Sequence, residues 1–105
     1  MPAAAALLDP SRVIEARNIQ AERFKNEGIF TNAEMNAKQI KKFCKLTPDV
    51  EKLLSTAAIK YGLSGRKYNR ILKIARTIAD LAGEKEITTS HISQALQFRV
   101  DDPEN

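Results

Sequence analysis

Apolar positions along the chain recur every three or four residues, and no segment has the strict alternation of a half-buried strand. The pattern predicts an all-α domain, a small bundle of four to five helices. Its clearest helix carries Val50, Leu53, Leu54, Ala57, Ala58 and Tyr61 on one face. Thr47-Pro48-Asp49 starts this helix with a capping residue, a proline at the first helical position and an acid in the first turn. Gly62 stops it. Ser64 caps the following helix, which runs to Gly83 and turns Tyr68, Ile71, Leu72, Ala75, Ile78, Ala79 and Ala82 to one side. A last helix starts at Thr88 or Thr89, buries Ile92, Ala95 and Leu96, and ends near Arg99.

The first half of the chain is less regular. A helix is expected from about Ser11, as N-cap after Pro10, to Lys25 or Asn26. Val13, Ala16, Ile19, Gln20 and Phe24 give it a partial apolar stripe, crowded by Arg12, Arg17 and Arg23, as in a helix that also docks elsewhere. Residues 26–35 read as a loop with about one helical turn, because Thr31-Asn32-Ala33-Glu34 has the form of a capping box. A short helix from Asn36 to Cys44 follows, with Ile40, Phe43 and Cys44 inward and Lys38, Lys41, Lys42 and Lys45 in solvent. The domain thus spans residues 11–99, between a flexible segment 1–10 and a disordered acidic tail 100–105.

Composition narrows this picture. With 105 residues, 43% hydrophobic and 29% charged, the chain suits one soluble globular domain with one modest core. No apolar run reaches the roughly 18–20 residues of a membrane span, and residues 1–8 lack the basic start of a secretory signal. Cys44 is the only cysteine, so an internal disulfide is excluded and a reducing, cytoplasmic location is expected. Cys44 and His91 are the only soft metal ligands, too few for the roughly four of a structural zinc site. Cys44 reads as a buried core thiol, and His91 as a surface or capping residue.

Charge singles out one helix. Between residues 60 and 80 stand six cations, Lys60, Arg66, Lys67, Arg70, Lys73 and Arg76, against the single acid Asp80. That segment carries +5 of a chain whose total is +4, which leaves −1 for everything else. Opposite its apolar side the helix presents Arg66, Arg70, Lys73, Thr77 and Asp80 as a polar ridge. The order of charges opposes the helix dipole, which favours acids at the start and bases at the end. Such a placement makes sense where arginines reach a phosphate group beside a helix N-terminus. Arg76, one turn before Asp80, is expected to form a surface ion pair with it.

The run Leu63-Ser64-Gly65-Arg66-Lys67-Tyr68-Asn69-Arg70-Ile71-Leu72-Lys73-Ile74-Ala75-Arg76-Thr77-Ile78-Ala79-Asp80-Leu81 closely resembles the C-terminal helical domain of the ComM/YifB-like AAA+ ATPases. These are the proteins described as magnesium chelatase-related, or ChlI-like. Gly65 departs from the family's Leu-Ser-Ala-Arg pattern, small residue for small. Ala16-Arg17-Asn18-Ile19-Gln20 with Arg23-Phe24, Asn32-Ala33-Glu34-Met35, Cys44-Lys45-Leu46, and Ile87, His91-Ile92, Ala95-Leu96 and Arg99 extend the resemblance over about residues 12–99.

What the resemblance implies is an AAA+ lid, packed over the nucleotide of an α/β ATPase core in the same parent chain and moving against neighbouring subunits of a ring. Arg66 matches the second-sensor arginine that reaches the γ-phosphate of ATP, and Arg70 lies one turn further on the same face. ATP and Mg²⁺ would be cofactors of the parent ATPase. The sequence contains no Gly-x-x-x-x-Gly-Lys-[Ser/Thr] loop and no apolar strand ending in paired acids. The chain therefore reads as a fragment that cannot hydrolyse ATP by itself, and no membrane partner is expected. The competing reading is a DNA-binding helix-turn-helix, with phosphate contacts from Lys60, Lys67 and Lys73 and base contacts from Arg66, Asn69 or Arg70. The unbroken apolar stripe of the basic helix suits a bundle helix better than a short recognition helix.

Overall fold

A computed structural model describes residues 9–98 of the chain, together with the backbone but not the side chain of Arg99. Five α-helices follow one another: α1 Pro10–Arg23, α2 Ala37–Phe43, α3 Pro48–Tyr61, α4 Gly65–Leu81 and α5 Thr89–Arg99. A 3₁₀ turn, Asn32–Glu34, lies between α1 and α2. No strand occurs among the described residues, and no helix there is long and apolar enough to cross a membrane. The expectations for the first eight residues and for 100–105 lie outside the described residues.

Chain chemistry explains where the helices start. Asp9, rather than Ser11, caps α1: its carboxylate accepts from the Ser11 amide at 3.0 Å and the Ser11 hydroxyl at 2.8 Å. Pro10 then occupies the first turn, where its missing N–H costs nothing. Thr47 occupies the N-cap of α3 without bonding the helix, because its hydroxyl turns to the Asp49 carboxylate instead. Gly62 ends α3 at φ 60°, a left-handed geometry that a Cβ disfavours. α1 stops at Arg23, two to three residues before the expected end, and Phe24 forms its C-cap.

A single main core joins the helices. Phe24, Met35, Ile40, Cys44, Val50, Leu54, Ile71, Leu72, Ala75, Ile78, Ile87, Ile92 and Ala95 form it, and α4 runs through its centre. The stripe expected on α4 is there: Ile71, Leu72, Ala75, Ile78 and Ala79 are buried, and Tyr68 and Ala82 are half-buried at its ends. Phe24 and Phe43 meet edge to face, with ring centroids 5.3 Å apart. Cys44 is buried as expected, and burial pushes its thiol up to about 11. Two expected core residues are instead exposed, Tyr61 at 45% and Ile19 at 38%, each at the edge of its helix's stripe.

α1 is attached differently. Its own apolar contact is a small separate cluster of Ala16 and Leu81 with Val13 packed against it. Polar contacts do the remainder.

Candidate functional site

The N-terminal half of α4 is organised as its sequence predicts. Ser64 leaves the turn in extended geometry and its hydroxyl accepts from the Lys67 amide at 3.2 Å, so the helix begins sharply at Gly65. No acidic residue occupies the first turn and no basic one the last, so neither terminal turn of α4 carries a charge of its own that offsets the dipole. Arg66 and Arg70 are exposed, about 6 Å apart along the axis at 1.5 Å per residue. Lys67, Asn69 and Lys73 beside them are half-buried. Lys60 is exposed at the end of α3, its ammonium 5.5 Å from the centre of the Tyr61 ring. Lys60, Arg66, Lys67 and Arg70 lie on either side of the turn between α3 and α4, beside a helix N-terminus that attracts anions. No cluster of three metal-ligating side chains occurs among the described residues.

The ridge does not continue as expected. Asp80, placed by the helical wheel on the outer face, is 1% exposed. Arg23 of α1 clamps its carboxylate with two hydrogen bonds of 2.7 and 2.8 Å, and Asn32 Nδ2 donates to it at 2.8 Å. Asp80 is buried because a helical wheel identifies only the side away from the main core, and α1 and the 3₁₀ turn cover the C-terminal half of that side. Thr77 is drawn into the same cover, its hydroxyl accepting from Asn32 Nδ2 at 3.0 Å. Lys73 marks the border, with its ammonium donating to the Ala33 carbonyl at 3.0 Å. Only Arg66 and Arg70 of the ridge residues are left exposed.

Arg76 is likewise not at the surface. It is 5% exposed, with Nε 3.4 Å from Asp80 and its two terminal nitrogens donating to the carbonyls of Lys85 and Glu84 at 2.9 and 3.0 Å. Burial pushes its guanidinium down, and the Asp80 carboxylate opposes that shift. Arg76 thereby ties α4 to the loop leading into α5. His91 is a capping residue, as expected, but a buried one: Nδ1 accepts from the Thr88 amide at 2.9 Å and Nε2 lies 3.5 Å from Glu84.

The sequence reading missed Gln20, Arg23 and Asn32 as one network. Gln20 Oε1 accepts from the Asn32 amide at 3.0 Å, and Arg23 donates to Asn32 Oδ1 at 2.9 Å. The signal was available: Ala16, Gln20 and Arg23 follow a helical repeat, and Asp80 is the lone acid of the basic segment.

Comparison with known proteins agrees over the same span. The family model described as magnesium chelatase, subunit ChlI C-terminal, matches residues 10–99. Competence protein ComM of Haemophilus influenzae is 44% identical over 89 residues, which cover 85% of this chain and 17% of that protein. The uncharacterized protein YifB of Escherichia coli is 38% identical over 91 residues, 87% of this chain and 17% of its own length. YifB of Salmonella typhimurium is 36% identical over 91 residues, with the same coverage. The chain thus spans 17% of the length of each of these relatives. It belongs to the magnesium chelatase subunit ChlI C-terminal family, as a C-terminal domain of the ComM/YifB-like kind.

Proposed function

We propose that this domain is the lid of an AAA+ ATPase and that Arg66 is its second-sensor arginine, with Arg70 as a second phosphate contact. The observation that carries the reading is the pair of exposed arginines at the start of α4, whose first turn holds no acid. A helix N-terminus and two guanidiniums form an anion site without any metal ligand of their own. In a closed lid, Arg66 would stabilise charge on the transferring phosphoryl group of Mg²⁺-ATP held by the core of the parent chain. Because Arg66 stands on the central helix of the bundle, a change at the phosphate would move the whole bundle against its neighbours in a ring. A cytoplasmic setting, where Mg²⁺-ATP is plentiful, belongs to the same reading.

The test is Arg66→Ala in the parent ATPase. Folding and assembly should be normal, and turnover should fall by about 10²- to 10³-fold, the scale for losing one charge-stabilising donor. Wild-type turnover with normal assembly would overturn the role given to Arg66. DNA is the other polyanion that the Lys60, Lys67, Asn69 and Lys73 surroundings of the two arginines could meet. Duplex binding by the 105-residue chain that is lost in Arg66→Ala while ATP turnover stays intact would favour that reading instead.

A further inference from the structure

We propose that α1 is a docked arm that peels from α4 about a hinge at Phe24 while the other helices stay folded, with Arg23, Gln20 and Arg12 as its latches. The attachment of α1 divides into two unequal parts. Phe24, at its C-terminal end, is 1% exposed and belongs to the main core, against Phe43. The helix itself buries only Ala16 and Gln20, and its apolar contact with Leu81 is a cluster apart from that core. What remains is polar: Arg23 on Asp80, Gln20 Oε1 on the Asn32 amide, and Arg12 Nη1 on the Leu81 carbonyl at 3.3 Å.

Such a segment opens more cheaply than the core, because little apolar surface is exposed when it leaves. An isolated helix of 14 residues is marginal in water, so the released arm also loses its helix and its amides exchange. The opening has a consequence for the α4 surface. Docked, α1 covers Asp80 and Leu81, and the exposed strip ends near Lys73. Peeled back, it uncovers an acid on the same strip as Arg66 and Arg70, so the position of α1 sets the length and charge of that surface. Gln20 also braces the turn on which Lys73 rests.

Native-state amide exchange on the 105-residue chain, followed by NMR, tests it. Amides of residues 14–20 should exchange at least about tenfold faster than the central amides of α3, α4 and α5, through an opening of their own. Arg12→Ala should speed α1 exchange severalfold further and leave those three helices at wild-type rates. Asp80→Asn should speed α1 exchange by a larger factor than it speeds α3, α4 and α5, which it also affects because Arg76 loses its acid. Should that variant fail to fold, Arg12→Ala decides, because Arg12 is only half-buried and outside the main core. Equal protection of α1 and the other helices in the wild type would overturn the proposal, as would a uniform acceleration of all helices by Arg12→Ala.

Discussion

Asp80 is the residue on which the most groups converge. Two arginines, Asn32 and the covering helix α1 meet at its carboxylate. A buried ion pair is weak evidence of net stability, since desolvation offsets most of the attraction, but removing one partner strands the other. Asp80→Ala should therefore lower the unfolding free energy by about 3–5 kcal/mol, read from urea midpoints, because Arg23 and Arg76 would keep their charge without an acid. A double-mutant cycle with Arg23→Ala should show the two losses to be strongly non-additive. Glu34 makes a second residue-scale prediction. Its carboxylate accepts from the Phe30 and Thr31 amides at 2.7 and 3.0 Å, and these bonds hold it below the ordinary carboxylate value of 4.5. A depressed carboxylate contributes stability that is complete above its unfolded value and is lost as pH falls through its folded one. The turn should accordingly keep its structure at neutral pH and loosen below pH 4.5, and Glu34→Gln should remove that acid dependence from the Thr31 amide shift.

At the scale of elements, α4 shows how capping and propensity work against each other. Ser64 starts the helix well, yet Gly65 follows at its first position, with nothing within 4 Å of where a Cβ would stand and no positive φ to require glycine. Gly65→Ala should raise stability by about 0.4–1 kcal/mol in thermal unfolding, by restricting the unfolded chain at no cost to the native one. The helices themselves were legible in the sequence because their signals are local: Pro48 and Gly62 bracket α3, and Ile71, Leu72, Ala75 and Ile78 mark the inner side of α4. The exposed arginines at the start of α4 were legible for the same reason. What was not legible is the cover over Thr77 and Asp80, because it depends on α1 arriving from some 57 residues away in sequence. A wheel drawn for one helix carries no information about a second layer. Arg76 was misplaced by the same limit, since its partners are carbonyls of the 84–85 loop that no side-chain pattern announces.

Across the whole molecule, stability and the candidate site occupy different residues, and two substitutions should separate them. Ile78 is 4% exposed in the single main core, where α4 meets the other helices. Ile78→Ala leaves a cavity in the core that these helices share, so all probes should report one transition lowered by about 2–5 kcal/mol, a large part of the roughly 5–15 kcal/mol available to a domain. A midpoint matching wild type would show the core to be wrongly assigned. Arg66 should behave in the opposite way. It is exposed and stands in the first turn of α4, where a cation opposes the dipole. Arg66→Gln should leave stability unchanged or raise it by about 0.3–1 kcal/mol, the usual scale of a charge at a helix end. A residue whose removal stabilises the fold is one whose position the fold does not explain, which is the pattern expected where a ligand supplies the missing anion. A loss of more than about 1 kcal/mol in Arg66→Gln would instead make Arg66 a structural residue and remove the physical ground for a phosphate site at the start of α4.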